Sequence, residues 1–229
     1  MAAAQLPPEI AAEAARLAVG IRGGTGDQGR GLARRLAMAG NRMIIGSRDP
    51  GRATAAAASV GSPPQVTGAA NEEAARAADL VIAAVPWDGH ADLLSRLAGP
   101  LEGKIVVDCV NPIVFDARGC YAIGVPEGSA AEQAAAVLPG STVVGAFHHV
   151  SATLLLDPEV TELDQDVLVL GDDRYATDLV QALAERIPGV RGVYAGRLRN
   201  CGQVEALTAN LVAVNRRYKA HAGLRVTDV

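Results

Sequence analysis

Short apolar runs alternate with Ala-rich segments along most of the chain. The runs at residues 17–21, 42–46, 80–85, 105–110, 143–147, 167–170 and 190–194 predict strands, with a further short one near Val66 and Thr67. Several are continuous in Val and Ile rather than alternating apolar with polar. That pattern belongs to strands covered on both faces, as in a parallel sheet. Between them, residues 27–39, 52–60, 72–78, 91–97, 130–138 and 174–187 predict helices. Asn71 and Asp49 are placed to cap helices, Ser129 with Glu132 reads as a capping box, and Gly40 follows a helix as a C-terminal stop. Strand and helix in alternation imply an α/β fold with a doubly wound, parallel sheet. Residues 148–165 read as the longest loop. Residues 202–218 predict a last helix with Val204, Leu207, Leu211 and Val214 on one side, a spacing suited to core or dimer packing.

The turn after the first strand carries the sharpest chemistry. Gly24-Thr25-Gly26-Asp27-Gln28-Gly29 lies between an apolar run and a helix. Glycines there let backbone N–H groups approach a pyrophosphate, and the helix dipole favours the anion. After the next strand, a fold that prefers NAD places an acidic side chain against the ribose diol. This chain reads Ser47-Arg48 instead, with Arg52 four residues on. A hydroxyl and two guanidinium forks suit a 2′-phosphate, so the module is expected to bind NADP(H).

Other strand ends add candidates. Val85-Pro86-Trp87 follows the run at 80–85, where Trp87 could wall the ribose–nicotinamide path, and His90 beyond it reads as a surface residue. Asn111 follows the next strand, placed to satisfy polar groups near the nicotinamide. His148 and His149 are neighbours on extended chain, so their side chains point opposite ways and cannot easily grip one ion; one is expected in the core and one at a pocket. Arg22, at the end of the first strand, is anomalous where an apolar or small residue is expected, and should find a carboxylate or reach water.

Composition narrows the class. The chain has 229 residues, 49% hydrophobic but only 3% aromatic, so its core is built of Ala, Val, Leu and Ile. A net charge of −4 argues against nucleic-acid binding. Cys109, Cys120 and Cys201 are scattered and odd in number, which fits reduced thiols in a cytoplasm rather than a disulfide or zinc scaffold. No apolar stretch reaches the roughly 18 residues that a membrane span needs, and no signal peptide is expected.

The blocks 23–33, Gly46-Ser47-Arg48, Val85-Pro86-Trp87, Gly171-Asp172-Asp173 and 204–208 together resemble the NADPH-dependent coenzyme F420 reductases. The resemblance runs from about residue 17 to 211. It implies a Rossmann-type NADP-binding domain at 17–150 and a smaller C-terminal part at 151–229 that contributes the F420 pocket. It implies reversible hydride transfer between NADP(H) and the deazaflavin. By matching positions, Gly24, Thr25, Gly26, Asp27 and Gln28 would cradle the pyrophosphate, and Ser47, Arg48 and Arg52 the 2′-phosphate. Trp87, Ala91, Ile113 and Ala152 would line the ribose–nicotinamide path. His148, Val150 and Thr208 would border the deazaflavin, with no obligatory general base. Arg197, Arg199, Arg216 and Arg217 are candidates for the anionic F420 tail. Arg22 departs from the family's usual apolar residue, and His149 and Ser151 from a smaller polar residue and a proline. The apolar C-terminal segment suits a homodimer. The rival readings are an NADPH-dependent reductase of an imine, a flavin or a ferric chelate, and a non-catalytic sensor of NADP(H).

Overall fold

The computed structural model describes residues 6–61 and 65–229. In chain order the elements are α1 (Pro8–Ala14), β1 (Ala18–Arg22), α2 (Asp27–Met38), β2 (Arg42–Ser47), α3 (Pro50–Ser59), β3 (Val66–Ala70), α4 (Asn71–Ala77) and β4 (Leu80–Ala83). Then follow α5 (His90–Ser95), α6 (Ala98–Leu101), β5 (Ile105–Asp108), β6 (Ile113–Asp116), β7 (Gly119–Ala122), α7 (Ala130–Val137) and β8 (Thr142–Gly145). The chain closes with α8 (Ala152–Leu156), β9 (Gln165–Gly171), α9 (Arg174–Ala184), β10 (Val190–Gly196), a short 3-10 turn (Leu198–Asn200) and α10 (Cys201–Tyr218).

Eight strands form one sheet in the order β3-β2-β1-β4-β5-β8-β9-β10. From β1 the chain winds outward through β2 and β3, then returns to place β4 on the other side of β1. That reversal is the point beyond which ligands lodge in doubly wound sheets. The all-parallel expectation holds for six strands. β9 runs antiparallel to β8, and β10 lies parallel to β9. Strands before and after residue 150 therefore share one sheet.

Both faces of the sheet are covered, as the continuous apolar runs require. Val19, Ile21, Met43, Ile45, Val107 and Val144 join one core with α2, α3 and α9. Ile44, Val81, Val106 and Val143 join the other with α4 to α7 and α10. Small side chains make the close approach possible: a Cβ on Gly20 would stand 3.0 Å from that of Ala78, just past α4.

The expected caps are largely present. The Asp49 carboxylate accepts from the amides of Gly51 and Arg52, and Ser129 Oγ accepts from Glu132 N at 3.0 Å. Gly40 has φ +99° after α2. Asn71 is the first helical residue of α4 rather than its cap, and makes no capping bond. The hairpin β6–β7 was not expected; its turn is held by Asp116 Oδ1, which accepts from the amides of Arg118 and Gly119.

Residues 148–165 are not a plain loop. They contain α8, fastened to α2 by Arg35, which is 2% exposed. Its guanidinium donates to the carbonyls of Leu155, Val160, Leu154 and Asp157 at 2.9, 2.6, 2.5 and 3.1 Å. A fork bonded at each of its three nitrogens is what makes a buried cation tolerable. A second polar tie is Glu205 on α10. Its carboxylate accepts from the first amides of α7, Ala130 and Ala131, at 2.9 and 3.1 Å. Burial nevertheless pushes its pKa up to about 7, against the pull of those two amides.

Two predictions follow from these ties. Arg35→Met strands four carbonyls and should cost about 3 kcal/mol or more in urea denaturation; a change within about 0.5 kcal/mol contradicts the account. Glu205 holds its proton more tightly in the folded state than in the unfolded chain. Its contribution is therefore full below the unfolded pKa of about 4.5 and lost as pH rises through about 7. The stability of the native chain relative to Glu205→Gln should fall from pH 4.5 to 7.5. A rise over that window would contradict the assignment.

Candidate functional site

β1 runs into α2 through a turn whose packing excludes side chains. Gly23 has φ +76°, and a Cβ there would stand 2.2 Å from the carbonyl oxygen of Ala84, just after β4. A Cβ on Gly29 would meet Gly24 Cα at 2.7 Å. Gly24 itself is buried behind the turn. Gly26 is the N-cap of α2, in extended conformation and with no side-chain cap, so no side chain claims the amides of the first helical turn. Asp27 pairs with Arg30 at 2.6 Å, which offsets its charge beside those amides. Gln28 Nε2 reaches across to donate to the carbonyl of Phe147 at 3.3 Å.

A cavity of about 920 Å³ opens at the carboxyl ends of β1, β2 and β4. Its walls bring together Thr25, Gly26, Asp27, Gln28, Ser47, Arg48 and Arg52, all expected from the sequence. That volume lies within the range of ligand pockets, roughly 300–1,000 Å³. Ser47 Oγ accepts from the Asp49 amide at 3.3 Å, which leaves its hydrogen for a ligand. Asp49 lines the cavity, but its carboxylate is turned to its own helix and engaged by the amides of Gly51 and Arg52; with exposed Arg48 and Arg52 on the wall, the residues fit a phosphorylated ribose better than a bare diol.

Arg22 also lines the cavity. Of the two outcomes expected for it, a carboxylate partner or water, the first is absent among the described residues: the side chain is 7% exposed at the open cavity, its Nε is buried without a partner, and no described residue ion-pairs its guanidinium. Burial lowers its pKa, and Arg48 and Arg96 lower it further. Arg96, Asn71, Asp88 and Asp92 complete the wall and were missed from the sequence. Asn71 could have been found had its position at a strand end outweighed its look of a cap; α5 gave no signal for Arg96.

The remaining expected residues lie outside this cavity. Trp87 is half-buried between the lining residues Pro86 and Asp88 and stacks on His90, with ring centroids 5.7 Å apart. His90 is buried, not on the surface. Its Nε2 lies 2.7 Å from Asp108 Oδ2 and its Nδ1 3.0 Å from Gln133 Oε1. Burial opposes charge on this ring, but its bonds to Asp108 and Gln133 prevail and raise its pKa. Ala91 is in the first turn of α5, Ile113 opens β6, and Ala152 opens α8.

A second knot joins the ends of β5 and β8 to α10. Asn111 Nδ2 donates to the carbonyl of His148 at 2.8 Å, and Thr208 Oγ1 donates to the same oxygen at 3.2 Å. His148 and His149 are both buried, and neither lines the cavity. The His148 ring lies beside the Val110 backbone without closing a hydrogen bond, and both nitrogens of His149 lack partners among the described residues. Burial pushes both pKa values down to about 4, so both rings are neutral at ordinary pH. Val150 is buried beside them. Of the arginines considered for an anionic tail, Arg197 already faces Asp172 at 3.7 Å.

Comparison with known proteins agrees with this geometry. The family model for coenzyme F420-dependent NADP oxidoreductases matches residues 18–112. The chain is 40% identical over 222 residues to the F420-dependent NADP reductase of Methanothermobacter marburgensis, covering 92% of this chain and 98% of that one. To the enzyme of the same description from Methanocaldococcus jannaschii it is 37% identical over 221 residues, with 92% and 98% covered. A crystal structure from Arthrobacter sp. FB24, of a candidate F420-dependent NADP reductase, superposes with a TM-score of 0.76 at 26% identity, covering 92% and 98%. On this combination of turn, cation-lined cavity and near full-length similarity, the chain belongs to the F420-dependent NADP reductase family.

Proposed function

We propose that this chain transfers hydride reversibly between NADP(H) and coenzyme F420. The observation that carries the reading is the cavity at the β1–β4 reversal, with open helix amides on one wall and, on the other, arginines that no described residue ion-pairs, in a member of this family. Amides at Thr25 to Gln28, beside the buried Gly24, take the pyrophosphate, and Ser47, Arg48 and Arg52 take the 2′-phosphate. The nicotinamide end then runs past Trp87, Ala91, Ile113 and Ala152 toward His148, Val150 and Thr208, which border the deazaflavin. Two contacts support that path: the Gln28–Phe147 bond and the Asn111–His148–Thr208 knot bring the far segments beside the glycine turn.

The two substrates supply the redox chemistry. The protein's part is to hold the rings near contact, roughly 3–3.5 Å apart, and to keep water away. Buried Val150 and small Ala152 serve that end, and a neutral His148 supplies no proton. Residues 17–150 act as the nucleotide module, and 151–229 add the F420 side. A homodimer is supported by Phe115, Tyr121 and Tyr218, which are 70%, 48% and 74% exposed on the hairpin and α10. The three cysteines are free, in keeping with work in a reducing cytoplasm, and no described helix is long and apolar enough to cross a membrane.

NADPH should bleach the visible absorbance of F420 in a one-to-one titration with this chain. Arg48→Ala with Arg52→Ala should weaken NADPH binding roughly 100-fold and leave NADH unchanged; an equal loss for both dinucleotides contradicts the assignment. His148→Ala should keep turnover within about tenfold, below the range of about 10²–10⁴ for a general acid or base. Since the imidazole charges only below about pH 4, the pH profile of kcat between 5 and 8 should not move. Lost turnover with intact NADPH binding would make His148 a proton carrier.

A further inference from the structure

Arg22 is the least explained charge in the molecule. It ends β1, paired in register with Gly46 on one side and Ala83 on the other, so it stands between the two strands whose ends open the cavity. Its place on the strand matches that of Gly20, so it faces the α4 side of the sheet, away from Val19 and Ile21. It is 93% removed from solvent, its Nε has no partner, and no described carboxylate answers it. The charges that act on it are those of Arg48 and Arg96; Asp49, Asp88 and Asp92 line the same cavity but none ion-pairs with it. Neither Arg48 nor Arg96 is ion-paired among the described residues.

A buried guanidinium without an anion is costly, and two further cations raise that cost. Arg35 shows how this fold treats a cation that is merely structural: every arm of it is bonded to a carbonyl. Arg22 receives no such treatment. Asn71 Oδ1, on the same wall, is a second buried polar atom without a partner. Two orphaned groups on one wall of an open cavity are what a bound polar ligand would satisfy.

We propose that Arg22 is a specificity-determining residue for the adenosine end of the dinucleotide, closing on the 2′-phosphate from beneath, opposite Arg48, with Arg96 as the third cation. This rests on the reading of the cavity as an NADP(H) site and adds a residue to it. Three converging guanidiniums repel one another until a phosphate dianion enters, so discrimination works in both directions. The 2′-phosphate gains charge-assisted bonds, while an unphosphorylated ribose leaves the repulsion in place. Arginine here therefore disfavours NAD(H) as well as favouring NADP(H).

The test compares wild type, Arg22→Leu and Arg22→Lys by calorimetric titration with NADP+, NAD+ and 2′,5′-ADP. Arg22→Leu should bind NADP+ and 2′,5′-ADP roughly 10-fold more weakly and NAD+ no more weakly than wild type. Arg22→Lys should recover part of the loss. Without ligand, Arg22→Leu should melt at a higher temperature than wild type, since it removes an unpaired buried charge. A variant that unfolds more easily without ligand would mean that Arg22 is structural. An equal loss for NADP+ and NAD+ would place it on the adenine or pyrophosphate, and unchanged NADP+ affinity would remove it from the site. Each of those results overturns the proposal. If wild type itself fails to prefer NADP+ over NAD+, the reading of the cavity fails first.

Discussion

The molecule is organised around a steric constraint at the β1–α2 turn. Backbone from β1, from the segment after β4, and from α2 converges there with no room for a side chain at Gly23 or Gly29. That closeness lets α2 start at the sheet edge with its first amides uncovered. It also sets the mouth of the cavity at the reversal of the winding order, where β1 lies between β2 and β4. Change the turn, and both the uncovered helix amides and the position of the second wall are lost together.

Charge is distributed around that constraint in two ways. On the structural side, buried charges are answered: Arg35 by four carbonyls, Glu205 by two helix amides, Asp166 by Arg191, Arg225 and the Val226 amide. On the cavity side, Arg22, Arg48, Arg52 and Arg96 have no ion-pair partner among the described residues. The contrast separates the charges that hold the fold from those left open at the cavity.

Much of this was legible in the chain. Continuous Val and Ile runs announced the covered sheet, and the glycine turn with Ser47-Arg48 announced residues that line one cavity, because both depend on local residue types. What was not legible depended on distant partners. The reversal of β9 and β10 follows from how residues 148–165 return, and those residues look like a loop because α8 is only five residues long and owes its place to Arg35 on α2. His90 reads as a surface residue because nothing nearby in sequence announces Asp108 or Gln133. His148 and His149 alternate as a strand would suggest, yet Phe147 takes a left-handed conformation, φ +63°, just before them, and both rings end up buried. Arg22 was recognisable as an anomaly, but its meaning needed the positions of Arg48 and Arg96.

The account rests on where the dinucleotide lies, and a crystal structure of the complex with NADP+ tests this most directly. It should show the pyrophosphate on the amides of Thr25 to Gln28 and the adenosine monophosphate ester among Ser47, Arg48 and Arg52. A dinucleotide bound elsewhere, or bound here with its phosphate ester turned to solvent away from those side chains, would contradict the account.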